Sequence, residues 1–112
     1  MAADFTLKAY DRLPSIQATL SSGGNPLDLT SATAVSFIMR PATGGAVKVN
    51  APAAIVTASG GVVCYDWAVG DTDVAGSYQA EWEVHWSSDK TQTFPTLTYH
   101  TIDILADLDG AA

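Results

Sequence analysis

Tyr78-Gln79-Ala80-Glu81-Trp82-Glu83-Val84-His85-Trp86 alternates apolar and polar side chains over nine residues. Tyr78, Ala80, Trp82, Val84 and Trp86 fall on one face, and Gln79, Glu81, Glu83 and His85 on the other. Successive side chains on a strand point to opposite faces, so this pattern suits an antiparallel sheet with one packed and one wet face. A helix would scatter the same aromatics around its circumference. The stretch lies within residues 62–95, where a dense strand, the turn Gly70-Asp71-Thr72-Asp73, the alternating strand, a polar turn and another strand follow one another.

Outward from there, strand-like runs recur every eight to sixteen residues between Gly-Gly or Pro punctuation, the spacing of a sandwich or small barrel. Phe5 and Leu7 mark a short first strand. Ile16, Ala18 and Leu20 face inward from a second, and Ser22-Gly23-Gly24-Asn25 supplies the positive φ angles of a tight reversal. Val35, Phe37 and Met39 form the core face of a strand that stops at Pro41. Val47-Lys48-Val49 and the run 53–58 occupy a middle region between Thr43-Gly44-Gly45 and Ser59-Gly60-Gly61. Val63, Tyr65 and Trp67 share one side of the next strand. The last strand is read over 97–105, with Ile102 and Ile104 inward. Seven to nine strands in one domain over 1–112 are expected, with Tyr78, Trp82, Val84, Val35, Phe37, Ile16, Leu20 and Val63 in one core. Residues 1–4 and 106–112 are small and polar and read as loose terminal arms.

A chain of 112 residues is long enough to bury a core without staples, and its one cysteine, Cys64, forms no internal disulfide. The start lacks the basic and apolar regions of a signal peptide, and no apolar run is long enough to span a bilayer, so synthesis in a cytoplasm is expected. Net charge is −7, and the five basic residues (Lys8, Arg12, Arg40, Lys48, Lys90) are spread along the sequence. No basic stripe is present to neutralise phosphates, which argues against binding nucleic acid or an anionic membrane.

Candidate chemistry is sparse. The Gly-Gly pairs precede no helix and read as hairpin turns rather than phosphate cradles. Asp71 and Asp73, with Asp66 nearby, hold carboxylates of the kind that bind calcium, but the further oxygen ligands are missing and an Asx-type turn is expected. His85 and His100 are the only imidazoles, and no nucleophile elbow or zinc motif accompanies them. His85 reads as an exposed strand residue beside Glu83. Glu81 and Glu83 share a face but lack the opposed geometry of a glycosidase pair. Cys64 reads as a small core or interface hydrophobe. Trp67, Trp82 and Trp86 read mainly as core, and an exposed coplanar pair would instead make a carbohydrate platform. Tyr78 is expected to act as a tyrosine corner, its hydroxyl bonded to backbone in the connection 70–76. No catalytic residue, cofactor or metal ligand is assigned.

Asp4-Phe5-Thr6-Leu7-Lys8, Leu13-Pro14, Gly24-Asn25-Pro26-Leu27-Asp28-Leu29-Thr30, Ala34-Val35-Ser36-Phe37-Ile38-Met39-Arg40, Gly70-Asp71-Thr72-Asp73, Gly76-Ser77-Tyr78-Gln79-Ala80-Glu81 and Thr93-Phe94-Pro95 come in an order that resembles the immunoglobulin-like N-terminal domain of tailed-phage baseplate upper proteins, as a stand-alone version. The resemblance covers nearly the whole chain and rests on the order and spacing of turn motifs. It implies an all-β fold, a single Ig-like antiparallel β-sandwich. It also implies a non-enzymatic virion structural protein that binds other virion proteins, in the tail or baseplate or as decoration on the capsid surface. Made in the host cytoplasm, the protein would assemble in symmetric copies in the particle. A carbohydrate-binding β-sandwich module is the rival expectation.

Overall fold

The computed structural model describes residues 5–87, 89–94 and 100–106. Ten strands follow in order: β1 (Phe5–Lys8), β2 (Ile16–Thr19), β3 (Ser21–Ser22), β4 (Asn25–Pro26), β5 (Ala32–Pro41), β6 (Val49–Thr57), β7 (Val62–Tyr65), β8 (Gly76–Trp86), β9 (Thr91–Phe94) and β10 (His100–Leu105). The alternating stretch is the longest of them, and its burial alternates as the sequence demands, with Tyr78, Ala80, Trp82 and Val84 buried. Within the expected last strand, 97–99 lie outside the described residues. So do the expected terminal arms, apart from Ala106, which is exposed.

The expected two-sheet Ig-like sandwich is not what the strands build. Eight of them form one sheet, seven in the order β1-β10-β8-β5-β6-β7-β2 with β9 paired to β8 off this path, and the seven curl through 332° about an axis and so come close to a closed barrel. The strand responsible is β6. Its first half pairs with β5, from Val49 opposite Met39 to Ala53 opposite Val35. Its second half pairs with β7, with Ala54 opposite Cys64, and the register shifts between Ile55 and Thr57. One strand thus serves both layers, and a bulge of this kind bends and twists the sheet sharply enough to turn a corner. Closure also leaves fewer open edges for unwanted pairing.

β8 is the spine. Along one edge it meets β5 from Pro41 opposite Tyr78 to Ala32 opposite Trp86. Its other edge is shared, β10 covering positions 76–80 and β9 covering 82–85. β1 then adds to β10 in parallel, with Phe5 opposite Ile102. Between β3 and β4, Gly23 and Gly24 both have positive φ (60° and 85°), giving the mirror-image two-residue turn that matches strand twist.

The eight residues expected together in one core are buried and belong to one cluster, while Ala18 and Trp86, also expected inward, are half-buried against it. Phe37 is its hub. Its ring stacks on Tyr65 (4.8 Å between centroids), lies 4.9 Å from Trp82 and stands edge-on to Trp67 at 5.7 Å. Burying an aromatic side chain removes some 150–250 Å² from water, so this quartet from β5, β8, β7 and the residues just after β7 dominates the barrel interior. The interior is packed side chain rather than an open pore.

A candidate binding surface at the upper end of the barrel

The pairing pattern fixes which loops lie together. Taking the end where β1 finishes as the upper end, β5, β7 and β10 also finish there, while β2, β6 and β8 begin there. The connections 9–15, 42–48 and 66–75 therefore gather at one end. Among the described residues, the large apolar side chains that remain exposed are Tyr10, Leu13, Val47, Val56, Val69, Val74 and Leu105. All but Val56 lie at this upper end. Leu13 and Val69 are the most open, at 77% and 83%. Scattered exposed apolar residues need no explanation, and it is the placing of six of them at one end that makes this end the candidate binding surface.

Hydrogen bonds tie the surface down from below. The connection 66–75 crosses the barrel mouth and is tethered at four points. Asp71 accepts from the Tyr65 hydroxyl (2.5 Å) and from the backbone N–H of Ala68 (2.8 Å). Thr72, only 2% exposed, donates its hydroxyl to the Asp11 carbonyl (2.9 Å), and its own carbonyl accepts from the Tyr10 N–H (2.9 Å). Lys48 donates to Asp73 at 2.5 Å. The Tyr78 hydroxyl donates to the Val74 carbonyl at 2.7 Å, the bond anticipated for a tyrosine corner. These bonds join the loops 9–15, 42–48 and 66–75 into one cap.

Tyr10 pays for its place in this cap. Its φ is +72°, a left-handed conformation that side chains beyond glycine seldom adopt and that costs of order 1 kcal/mol. Its neighbours over-determine that conformation, because the Ala9 N–H donates to Leu105 (2.7 Å) and the Asp11 N–H to Lys8 (3.1 Å). The result is an aromatic ring left half exposed between two shallow clefts. One, of about 720 Å³, is lined by Tyr10, Asp11, Arg12, Leu13, Asp66 and Trp67. The other, of about 220 Å³, includes Tyr10, Arg12, Val69 and Thr72.

Burial of the two tyrosines beneath the cap changes their acidity. Desolvation, reinforced for Tyr65 by its hydrogen bond to Asp71, holds both Tyr65 and Tyr78 above the usual phenol range. For Lys48 the bond to Asp73 outweighs desolvation and raises its pKa.

The remaining residues singled out by sequence fall elsewhere. Asp71 does not make the expected Asx-type turn, because its carboxylate accepts from the Ala68 N–H three residues before it rather than from an N–H two residues ahead, and Asp66 accepts from Ser15. Among the described residues no group of three or more His, Cys, Asp or Glu side chains is placed to hold a metal ion. Cys64 is half-buried, on the β7 face away from Val63 and Tyr65. His100 is half-buried with its ring edge-on to Trp82 at 6.5 Å. Trp82 and Trp67 are buried, and Trp67 donates to the Pro14 carbonyl (3.1 Å). Trp86 is half-buried with its indole N–H on Gln92 (3.3 Å), so no exposed coplanar pair of tryptophans exists.

One grouping escaped sequence reading. Ser36 on β5 stands opposite Glu83 on β8, and this brings its hydroxyl to 3.4 Å from His85 Nε2, which also lies 3.3 Å from Glu83 Oε1. A relay needs serine and carboxylate on opposite nitrogens of the ring. Here both address the same nitrogen on an open sheet face. Only the cross-strand register, which no local pattern encodes, could have disclosed the cluster.

No protein-family model matches the chain, and no curated protein is similar to it in sequence.

Proposed function

We propose that this chain is a non-enzymatic structural protein of a tailed-phage virion, a β-barrel module that binds other virion proteins in the tail or baseplate or on the capsid surface. The observation that carries the binding role is the upper end: six exposed apolar side chains on a cap tied down by side-chain hydrogen bonds. Preorganised surfaces bind well because little side-chain and loop entropy is lost on docking. The phage setting rests on the ordered turn motifs that resemble baseplate upper proteins. A carbohydrate-binding role is less well supported, since Trp67 and Trp82 are buried and Trp86 stands alone.

The test is incorporation into particles. Leu13→Asp and Val69→Asp alter side chains that touch little of the core, so both variants should fold normally. Each should be lost from purified particles, as measured by quantitative mass spectrometry, while Val56→Asp on the barrel wall should be retained. Wild-type copy numbers for all three variants, or absence of the unaltered chain from particles, would overturn the proposal.

A further inference from the structure

The sheet stops short of a full turn, and its two end strands, β1 and β2, leave a seam between them. Among the described residues β1 pairs with β10 and β2 with β7, and no ladder joins β1 to β2. A cleft of about 310 Å³ opens along this seam, lined by Phe5 of β1, Ile16, Gln17, Ala18 and Thr19 of β2, and His100 of β10. Alternation turns Phe5, Ile16, Ala18 and His100 toward the interior, in phase with the buried Leu7, Ile102 and Ile104. Gln17 and Thr19 point outward and form a polar rim. Phe5, Ala18 and His100 are only half-buried, so the seam is a mouth at which inward-facing side chains meet solvent.

Behind this mouth stands Trp82. It is fully buried, and its ring lies edge-on to that of His100, 6.5 Å away between centroids. Its indole N–H has no hydrogen-bond partner among the described residues, and of their buried side-chain polar atoms it is the one left without. Trp67 and Trp86 differ, donating to the Pro14 carbonyl and to Gln92. A buried tryptophan N–H normally finds an acceptor, because removing the donor from water without replacing the bond is unfavourable. The unmet donor and the cleft are separate observations, and together they call for an acceptor brought in from outside.

We infer that the seam cleft binds a small uncharged aromatic molecule bearing a carbonyl oxygen, its ring against Phe5 and His100 and its oxygen accepting from Trp82 Nε1. The size fits, since ligand pockets start at roughly 300 Å³ and the mouths of β-barrels are a usual place for them. The apolar wall of Phe5, Ile16 and Ala18, with two rings at hand, favours a flat aromatic body. Charge is disfavoured, because one N–H cannot compensate a buried anion and the chain already carries −7. A carbonyl accepts without bringing in a donor that needs its own partner, as a hydroxyl would. This ligand site goes beyond the proposed binding role and does not rest on it, for it lies in the barrel wall and uses none of the cap's exposed apolar side chains.

Acetophenone is the probe, and α-methylstyrene, of the same shape with a methylene group in place of the oxygen, is its control. Proton–nitrogen correlation spectra of the labelled full chain carry three indole N–H signals, one per tryptophan. Acetophenone should move the Trp82 signal downfield and saturably, with a Kd of about 0.1–1 mM for a ligand this small. The Trp67 and Trp86 signals, whose N–H groups are already bonded, should stay in place. α-Methylstyrene should produce no downfield movement of Trp82. Ala18→Phe, which fills the cleft, should weaken acetophenone about tenfold or more, and Val69→Asp at the upper end should leave its Kd unchanged. A Trp82 signal unmoved at about 10 mM acetophenone, or moved equally by α-methylstyrene, would overturn the inference, as would an unchanged Kd in folded Ala18→Phe. Should Ala18→Phe fail to fold, the comparison of the two probes on the unaltered chain decides. Loss of Val69→Asp from particles bears on the upper end alone, so either reading can fail without the other.

Discussion

Replacing Tyr78 by Phe removes one atom and leaves the ring in place. Tyr78 is buried, and its hydroxyl makes a single hydrogen bond, 2.7 Å long, to the carbonyl of Val74. The benzene ring still fills its position opposite Ile102, so no cavity opens. The Val74 residue is 54% exposed, which lets water reach the released carbonyl and removes most of the penalty for an unmade bond. The expected loss is therefore the net worth of one neutral hydrogen bond, about 1 kcal/mol. With an unfolding entropy of about 2.1 cal/mol/K per residue over 112 residues, that corresponds to a fall in Tm of about 4 °C. In urea the midpoint should drop by about 0.3–1 M. Equilibrium denaturation followed by tryptophan fluorescence reads this directly, because Trp67 and Trp82 are buried in the folded state. Tyr10→Phe is the control, since the Tyr10 ring is half exposed. An unmoved midpoint for Tyr78→Phe would refute the reasoning that this bond ties down the cap, and a loss above about 3 kcal/mol would mean that the cap unfolds with it.

Two further outcomes follow from the same cap and its surroundings. Tyr65 and Tyr78 have pKa values raised above 10.0 by desolvation, and for Tyr65 also by Asp71, so their contribution to stability is complete below about pH 10 and is lost as pH rises toward the folded-state values. Urea midpoints should hold steady from pH 7 to about pH 9 and then fall, and the fall should be shallower in Tyr65→Phe; an equally steep decline in that variant would exclude Tyr65 as its source. Gly61→Ala should cost about 2–4 kcal/mol by the same assay, because φ is +70° and an added Cβ would lie 2.6 Å from the Leu20 carbonyl and 2.7 Å from that of Leu27. A loss under about 1 kcal/mol would show that the 20–27 segment yields easily.

Much of the fold was legible because alternation is a local property. The eight residues expected together in one core are buried, the Gly23-Gly24 reversal is a two-residue hairpin turn, and the Tyr78 hydroxyl reaches backbone within the connection 70–76. The binding surface was legible only in part. Leu13 and Val69 are apolar residues in loops, but nothing in either loop states that the two lie at the same end, or that Thr72 would be buried between them. Ser36 came to His85 for a similar reason, through the register of two strands far apart in sequence.

The sequence by itself determined that the chain is all-β and which face of each strand looks inward, because side-chain direction reverses at every residue and water separates the two faces. It did not determine how many sheets there are. A sandwich and a barrel demand the same inward and outward alternation, and they differ only in which strand edges share hydrogen bonds. That choice was made by β6, which pairs with β5 along one half and β7 along the other across a register shift, and by β1, which joins β10 in parallel from the far end of the chain. Edge pairing depends on contacts between distant segments competing for the same N–H and C=O groups, and only the assembled chain settles that competition.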